Sequence, residues 1–484
     1  MKKFINRKRV VGVLLTAAML GSCEKFLEEK PQDRIFSDNF YQTEEDALSA
    51  TNAIYAGLGS YFDNGEGPYH STTWIAAGLA SDEMINKQTD NAMDQLDDFA
   101  WNAENSTILS IWRSHYKTIT VANIAINRIP AIEMDATLRD RLVNESKFLR
   151  ALMYFNLVRM YGPVPLITAE EVPLTVAVSG VEDVYAQIIS DLQAAENLPN
   201  DGEIEQGRAT KGAAKALLAK VYLTRQEWDN AAAKALEVIE SNTYELWDNY
   251  GDNFKLANRN GKEAVFSVSN GDAGGTISFW EVAQFNVRLL PKELNDRREN
   301  VRNTQGWQAA TRNLYDSYSD DDERKAITFM TEFTDDNGDT VKLADPYFQK
   351  YWDEAEEPDG GDSRQDFPVI RYSDVLLMYA EAEGELGNLA VGNEYLGKVR
   401  TRAGLMHTDV NDIEGFRAQI LLERRKELAA EGQRWFDLVR TGQLEERVQD
   451  AKGITVNPRY LLFPYPQREI DTNKELPSNA EKGY

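Results

Sequence analysis

One cysteine and three histidines in 484 residues limit what this chain can be. A single thiol forms no internal disulfide and holds no cysteine metal site. Three histidines all but exclude a histidine-rich metal or catalytic cluster. Base is scarce too: 53 Lys and Arg stand against 79 Asp and Glu, a net charge of −26. So acidic a surface repels phosphate, which excludes nucleic acid as a partner and excludes membrane binding through basic patches. Long apolar runs are missing. The longest, residues 10–20, is about half of the roughly 20 residues that a bilayer crossing needs.

Catalytic signatures are absent as well. There is no His-Glu-x-x-His and no Gly-x-Ser-x-Gly. The glycine-rich stretch 270–275 has no Lys-Ser/Thr after it and reads as a turn, not a phosphate cradle. Residues 335–339 fail as a calcium loop: with Gly338 sixth, Phe333 stands first and Ala344 twelfth, where acids are required. No cofactor is expected, and no motif supports a structural calcium. A pair of carboxylates suited to glycoside hydrolysis is the one chemistry that 79 acids leave arithmetically open.

What is present begins at the N-terminus. Lys2, Lys3, Arg7, Lys8 and Arg9 precede the short apolar run, which closes on Leu20-Gly21-Ser22-Cys23. A basic start, a short apolar segment and small residues before a cut describe a secretory signal. The last four residues resemble a bacterial lipobox, so Cys23 is expected to become the acylated first residue. Without the five leading bases, 48 bases face 79 acids and the mature chain carries −31. At 42% hydrophobic and 27% charged residues, that chain has the composition of a folded protein.

Residues 24–42 read as a tether, with Pro31 preventing a continuous helix. Thr43 and Asp46 then make a capping-box-like helix start. Helices are predicted over 43–60, 106–129 and 137–161 from apolar residues at spacings of three and four. Residues 61–98 read as ordered loop with short helix, and 164–167 as extended. A helical hairpin is predicted over 210–224 and 228–240, with Ala219 and Ala231 small where its helices cross. Its spacing is that of a tetratricopeptide repeat, and adding 161 lands on Ala380 and Gly392 in a second hairpin, 372–402. A last hairpin is predicted over 415–431 and 434–440. Within it, Glu423, Arg424, Arg425 and Glu427 read as ion pairs along a scaffold helix. Residues 244–367 are irregular, with a strand at 263–269 and a hairpin turn at 335–338. They are too long for a structureless loop and read as a subdomain packed on the helices. Residues 458–466 read as an apolar tail along the scaffold.

These stretches, in order, resemble a known family. Residues 22–31 (SCEKFLEEKP), 145–168 (ESKFLRALMYFNLVRMYGPVPLIT), 208–239, 367–384 (FPVIRYSDVLLMYAEAEG), 399–405 (VRTRAGL), 421–440 (LLERRKELAAEGQRWFDLVR) and 460–471 are similar to SusD/RagB-type lipoproteins of Bacteroidetes. The resemblance spans nearly the whole chain and is least marked at 61–98 and 272–357. It implies a mostly α fold of tetratricopeptide-like hairpins with an irregular, loop-rich subdomain carrying a few short strands. It also implies a non-enzymatic protein. Such a protein sits lipid-anchored on the outer membrane, faces the surface, and delivers oligosaccharides or similar nutrients to a SusC-like TonB-dependent transporter. The expected organisation is signal 1–22, tether 23–42 and a single domain 43–484. Its scaffold would be 43–60, 100–242 and 368–445, its irregular segments 61–99 and 243–367, and its extended tail 446–484.

Sugars offer flat C–H faces to aromatic rings and hydroxyls to polar groups, and such rings belong on loops held by a scaffold. Trp74, Trp280, Trp307, Tyr69 and Phe279 meet that condition, with Asp82, Asn91, Asn286 and Arg288 as polar companions. Trp112, Trp228 and Trp435 fall on helices and read as core. A rival reading is an assembly scaffold of helical repeats that binds only proteins, and a more remote one is an anchored hydrolase.

Overall fold

The computed structural model describes residues 40–59, 61–62, 65–270, 283–359 and 363–484. Cys23, the tether up to residue 39, Phe279 and Trp280 lie outside the described residues.

The chain is mostly α-helical. The helices that matter below are α1 (Glu44–Gly59), α2 (Thr72–Leu79), α3 (Asn91–Asp97), α4 (Ser106–Arg128), α5 (Ala136–Tyr161), α6 (Val181–Ala195), α7 (Lys211–Thr224), α8 (Trp228–Glu240) and α9 (Phe285–Leu289). After these come α10 (Tyr372–Glu385), α11 (Leu389–Arg402), α12 (Ile413–Glu427), α13 (Arg434–Arg440) and α14 (Leu444–Lys452). The capping box opens α1 as expected: Asp46 N–H donates to Thr43 Oγ1 at 3.2 Å, and Thr43 N–H donates back to Asp46 Oδ2 at 2.9 Å. No element is expected at α6, yet it packs along α5, pinned by a two-pronged Arg150–Asp191 pair with both bonds 2.8 Å. The course beyond 446 differs from the expected extended tail: α14 runs to Lys452, and the remainder carries a short helix at Gln467–Thr472 between 3-10 turns at Pro458–Leu461 and Asn479–Lys482.

Both repeat-like crossings form. Ala219, Ala231 and Ala380 are fully buried. A Cβ on Gly392 would lie 2.9 Å from the Ala380 carbonyl oxygen and 2.8 Å from Cζ of Phe416, so α10 and α11 touch through backbone. Trp112 and Trp435 are buried in the core, and Trp228 is half-buried against it.

The strands are few and pair antiparallel. Besides the two-residue pair Tyr61–Phe62 and Gly65–Glu66, those described are β1 (Met84–Asn86), β2 (Ala264–Val268), β3 (Gln308–Ala310), β4 (Phe329–Thr334), β5 (Thr340–Phe348) and β6 (Phe367–Arg371). β4 and β5 form the hairpin expected around Gly338, which takes φ +86°. β2 pairs with β6, setting Ala264 opposite Arg371, and β1 pairs with β3, setting Asn86 opposite Gln308. Residues 164–167 are extended but carry only one bridge, Val164 to Ser179.

The irregular segment packs on the C-terminal end of α12. Tyr318, Tyr250 and Tyr351 donate hydroxyl hydrogen bonds to the carbonyls of Lys426 (2.7 Å), Glu427 (3.1 Å) and Ala430 (3.1 Å). Glu423, Arg424, Arg425 and Glu427 pair with other elements and not along their own helix. Arg424 bonds Asp374 and Asp437, Arg425 bonds Asp82, and Glu423 meets Arg324 and Arg400. Glu427 meets Arg324, Arg371 and Arg402. All four α12 side chains are buried. Buried charges persist only when paired in this way.

Candidate functional site

The expected site residues divide into a buried set and a rim. Trp74 opens α2, a helix buried along its whole length. Its ring packs on Phe285 at 5.3 Å and Phe367 at 6.2 Å. Gly432 (φ +68°) closes over it, since a Cβ there would lie 2.8 Å from the Trp74 Cβ. Tyr69 packs on Phe367 at 5.3 Å and accepts from Asn156 Nδ2 at 2.8 Å. Trp74 and Tyr69 are therefore core and offer no ring face to a ligand, contrary to their reading as loop aromatics. Asp82 is corrected likewise. It is fully buried, accepts two bonds from Arg434 at 2.7 and 2.9 Å, and meets Arg425 at 3.0 Å. The two guanidiniums outweigh burial and hold its carboxyl below the usual range. Asn91 is exposed at the first turn of α3, which Asp90 caps through Ala92 and Met93 N–H.

Trp307 and Arg288 come together. The Arg288 guanidinium carbon sits 5.0 Å from the Trp307 ring centroid, a stacking distance for a cation on an indole. Trp307 is half-buried, and its carbonyl accepts from Lys87 N–H at 2.7 Å, just beyond the β1–β3 ladder. Short α9 lays Arg288 beside the start of α2. Arg288 Nε donates to Gln284 Oε1 at 2.7 Å, and Nη2 lies 3.4 Å from Ser71 Oγ. Ser71 is the residue before α2, yet its hydroxyl does not cap the helix. It donates instead to Glu66 Oε2 at 2.8 Å. Burial raises the Glu66 carboxyl, but His70, Arg288 and Ser71 together hold it below its ordinary value.

Around this group the buried hydroxyls of Thr72 and Thr73, Trp74 Nε1, Gln284 Nε2, Asn286 Nδ2 and Arg288 Nη1 have no hydrogen-bond partner among the described residues. Asn286, read as a polar companion, is itself buried. Unpaired buried donors are uncommon and call for an explanation. Burial lowers Arg288 to about 10, against the pull of Glu66 and Asp90, so the guanidinium keeps its charge at neutral pH. Beneath the site lies a floor of rings, with Phe285 stacked on Tyr351 at 4.0 Å and 13°.

Other clefts lie apart from these residues. One of about 860 Å³ runs along the first turns of α5 past Arg139, Asn144 and Glu203. Another of about 480 Å³ is lined by Trp228, Glu381, Arg417 and Arg447. Neither contains an expected site residue. Among the described residues no cluster of metal-ligating side chains occurs, and no helix is long and apolar enough to cross a membrane.

With this geometry in hand, sequence comparison is decisive. Residues 241–484 match the SusD family profile. The chain belongs to the SusD family. Residues 25–223 match a second profile, described as starch-binding and associating with the outer membrane. This SusD-family chain is 29% identical over 524 residues to SusD-like protein P25 of Formosa agariphila, covering 94% of this chain and 95% of that one. It superposes on a SusD superfamily protein from Bacteroides vulgatus with TM-score 0.79 at 21% identity, over 90% of this chain and 99% of that one. A laminarin-binding SusD-like protein matches with TM-score 0.76 at 29% identity, over 90% and 99% of the two chains.

Proposed function

We propose that this SusD-family chain is a surface lipoprotein that binds an oligosaccharide and hands it to a SusC-like TonB-dependent transporter. The observation that carries the binding reading is the Trp307–Arg288 pair: a partly exposed indole backed by a guanidinium whose Nη1 has no hydrogen-bond partner among the described residues. An indole face suits a sugar ring, and fixed donors suit its oxygens. Likeness to a laminarin-binding relative supports a carbohydrate ligand. Trp280 and Phe279 remain candidates for the same ligand on sequence grounds, and exposed Asn91 is a further polar candidate. The chain acts as a binder and not as an enzyme. Asp82, Asp374 and Glu427, buried carboxylates near the core, are engaged by arginines and lack the freedom that proton transfer requires.

The test is glycan binding by the wild-type chain without release of reducing ends, with at least tenfold weaker binding for Trp307→Ala. Unchanged binding in that variant would refute the site. A transporter that co-purifies from outer membranes while no glycan binds would favour the protein-only scaffold instead.

A further inference from the structure

We propose that the glycan taken at this site carries an oxyanion, a carboxylate or a sulfate ester, held by Arg288. This rests on the glycan-binding reading above and names the class of glycan. The argument starts from a contrast among the arginines. Arg150, Arg324, Arg371, Arg402, Arg424, Arg425 and Arg434 are all buried, and each has a carboxylate oxygen within 3.0 Å. Arg288 is 5% exposed, and no carboxylate of the described residues lies within ion-pair reach. It bonds the neutral Gln284 side chain, stands at a long 3.4 Å from a hydroxyl, and leaves Nη1 unpaired. Each of those seven has a carboxylate in contact, whereas Glu66 and Asp90 act on Arg288 only from a distance.

The surroundings are those of a receptor for negative charge. Thr72 and Thr73 start α2, whose first N–H groups have no side-chain cap because Ser71 bonds Glu66 instead. A helix start favours anions, and the unpaired Thr72, Thr73, Gln284 and Asn286 side chains supply donors independently of it. Glu66, the one carboxylate touching this group, is already held by Ser71 and His70. A neutral sugar hydroxyl must donate as well as accept, and the free groups here mainly donate. An oxyanion only accepts, and it fits the guanidinium fork. Trp307, stacked on the same guanidinium, would then take the sugar ring while Arg288 takes its charge.

The full chain in detergent micelles, probed on an array of neutral, uronate-containing and O-sulfated oligosaccharides, tests this. Binding should concentrate on the charged members, the uronate and sulfate arms telling which oxyanion is preferred. Affinity for the hits should fall at least fivefold between 50 and 500 mM NaCl. Gln284→Glu is the decisive variant, because its side chain already touches Arg288 and would install the missing carboxylate. It should melt higher than wild type and bind the charged glycans at least tenfold more weakly. Arg288→Gln should lose charged glycans to the same degree. Wild-type binding to neutral members only, or charged binding that Gln284→Glu leaves intact, overturns the proposal while the glycan reading stands. No binding anywhere on the array overturns both.

Discussion

Glu427, at the end of α12, accepts a 2.9 Å hydrogen bond from Nη1 of Arg371, at the end of β6. Both are buried, and the bond joins the helical scaffold to the irregular half. Arg324 and Arg402 close on the same carboxylate. Burial works against the charge, but the three guanidiniums outweigh it and hold the carboxyl well below its ordinary 4.5. A lowered folded value means that this stabilisation is present above pH 4.5 and drains away as pH falls below it. Glu427→Gln leaves the guanidiniums under-compensated. It should cost about 3–5 kcal/mol in urea melts at pH 7. A loss below about 1 kcal/mol would mean that water or other carboxylates replace Glu427.

Glu83 shows the opposite shift. Burial, reinforced by the Asp82 charge beside it, raises its carboxyl to about 8, the nearby Arg434 and Arg425 notwithstanding. The folded protein therefore holds a proton that the unfolded chain releases above 4.5. From that linkage, wild-type stability should fall as pH rises from 4.5 toward 8. Glu83→Gln keeps the neutral shape and removes the ionisation. Its melting temperature relative to wild type should climb between pH 5 and pH 8.5, and a flat difference would contradict the protonated assignment.

The α10–α11 crossing predicts a steric result. In Gly392→Ala the new methyl meets the Ala380 carbonyl oxygen, which is backbone and cannot rotate away. The helices must part, at a cost of about 1–3 kcal/mol. The measurement is the chemical-denaturation midpoint, with a shift toward greater stability as the contrary outcome.

The proposed Cys23 anchor is separable from the proposed binding site. Cys23→Ala should leave the chain in the soluble fraction after cell lysis while glycan affinity is unchanged. Acyl chains on Cys23 would contribute about 0.8 kcal/mol per buried CH₂, which the variant loses. Retention of the variant in washed membranes would point to another attachment.

Much of the scaffold was legible because amphipathic helices announce themselves locally. Trp228–Glu240 and Arg434–Arg440 begin and end where the apolar spacing and flanking breakers place them. Val181–Ala195 carries the same signal in Val184, Ile188 and Leu192, although no helix is predicted there. The site was harder to read, for a physical reason. Trp74 sits among glycines and polar residues, and what buries it (Phe285, Phe367 and Gly432) arrives from more than 200 positions away. Asp82 meets Arg434 across 352 positions. No local period encodes such partners. Arg288 and Trp307 can be named as candidates from their loop setting, but their stacking, and the distance of Glu66 and Asp90 from the guanidinium, exist only in the folded chain.

The paired charges around α12 also set how the protein responds to dissolved salt. Surface carboxylates, the bulk of a net −26, repel one another through solvent, where ions at 0.15 M damp interactions beyond about 8 Å. The guanidinium–carboxylate pairs lie where those ions do not reach. Raising ionic strength therefore relieves the repulsion and leaves the internal pairs intact, so the fold gains stability under conditions that weaken proteins held by exterior ion pairs.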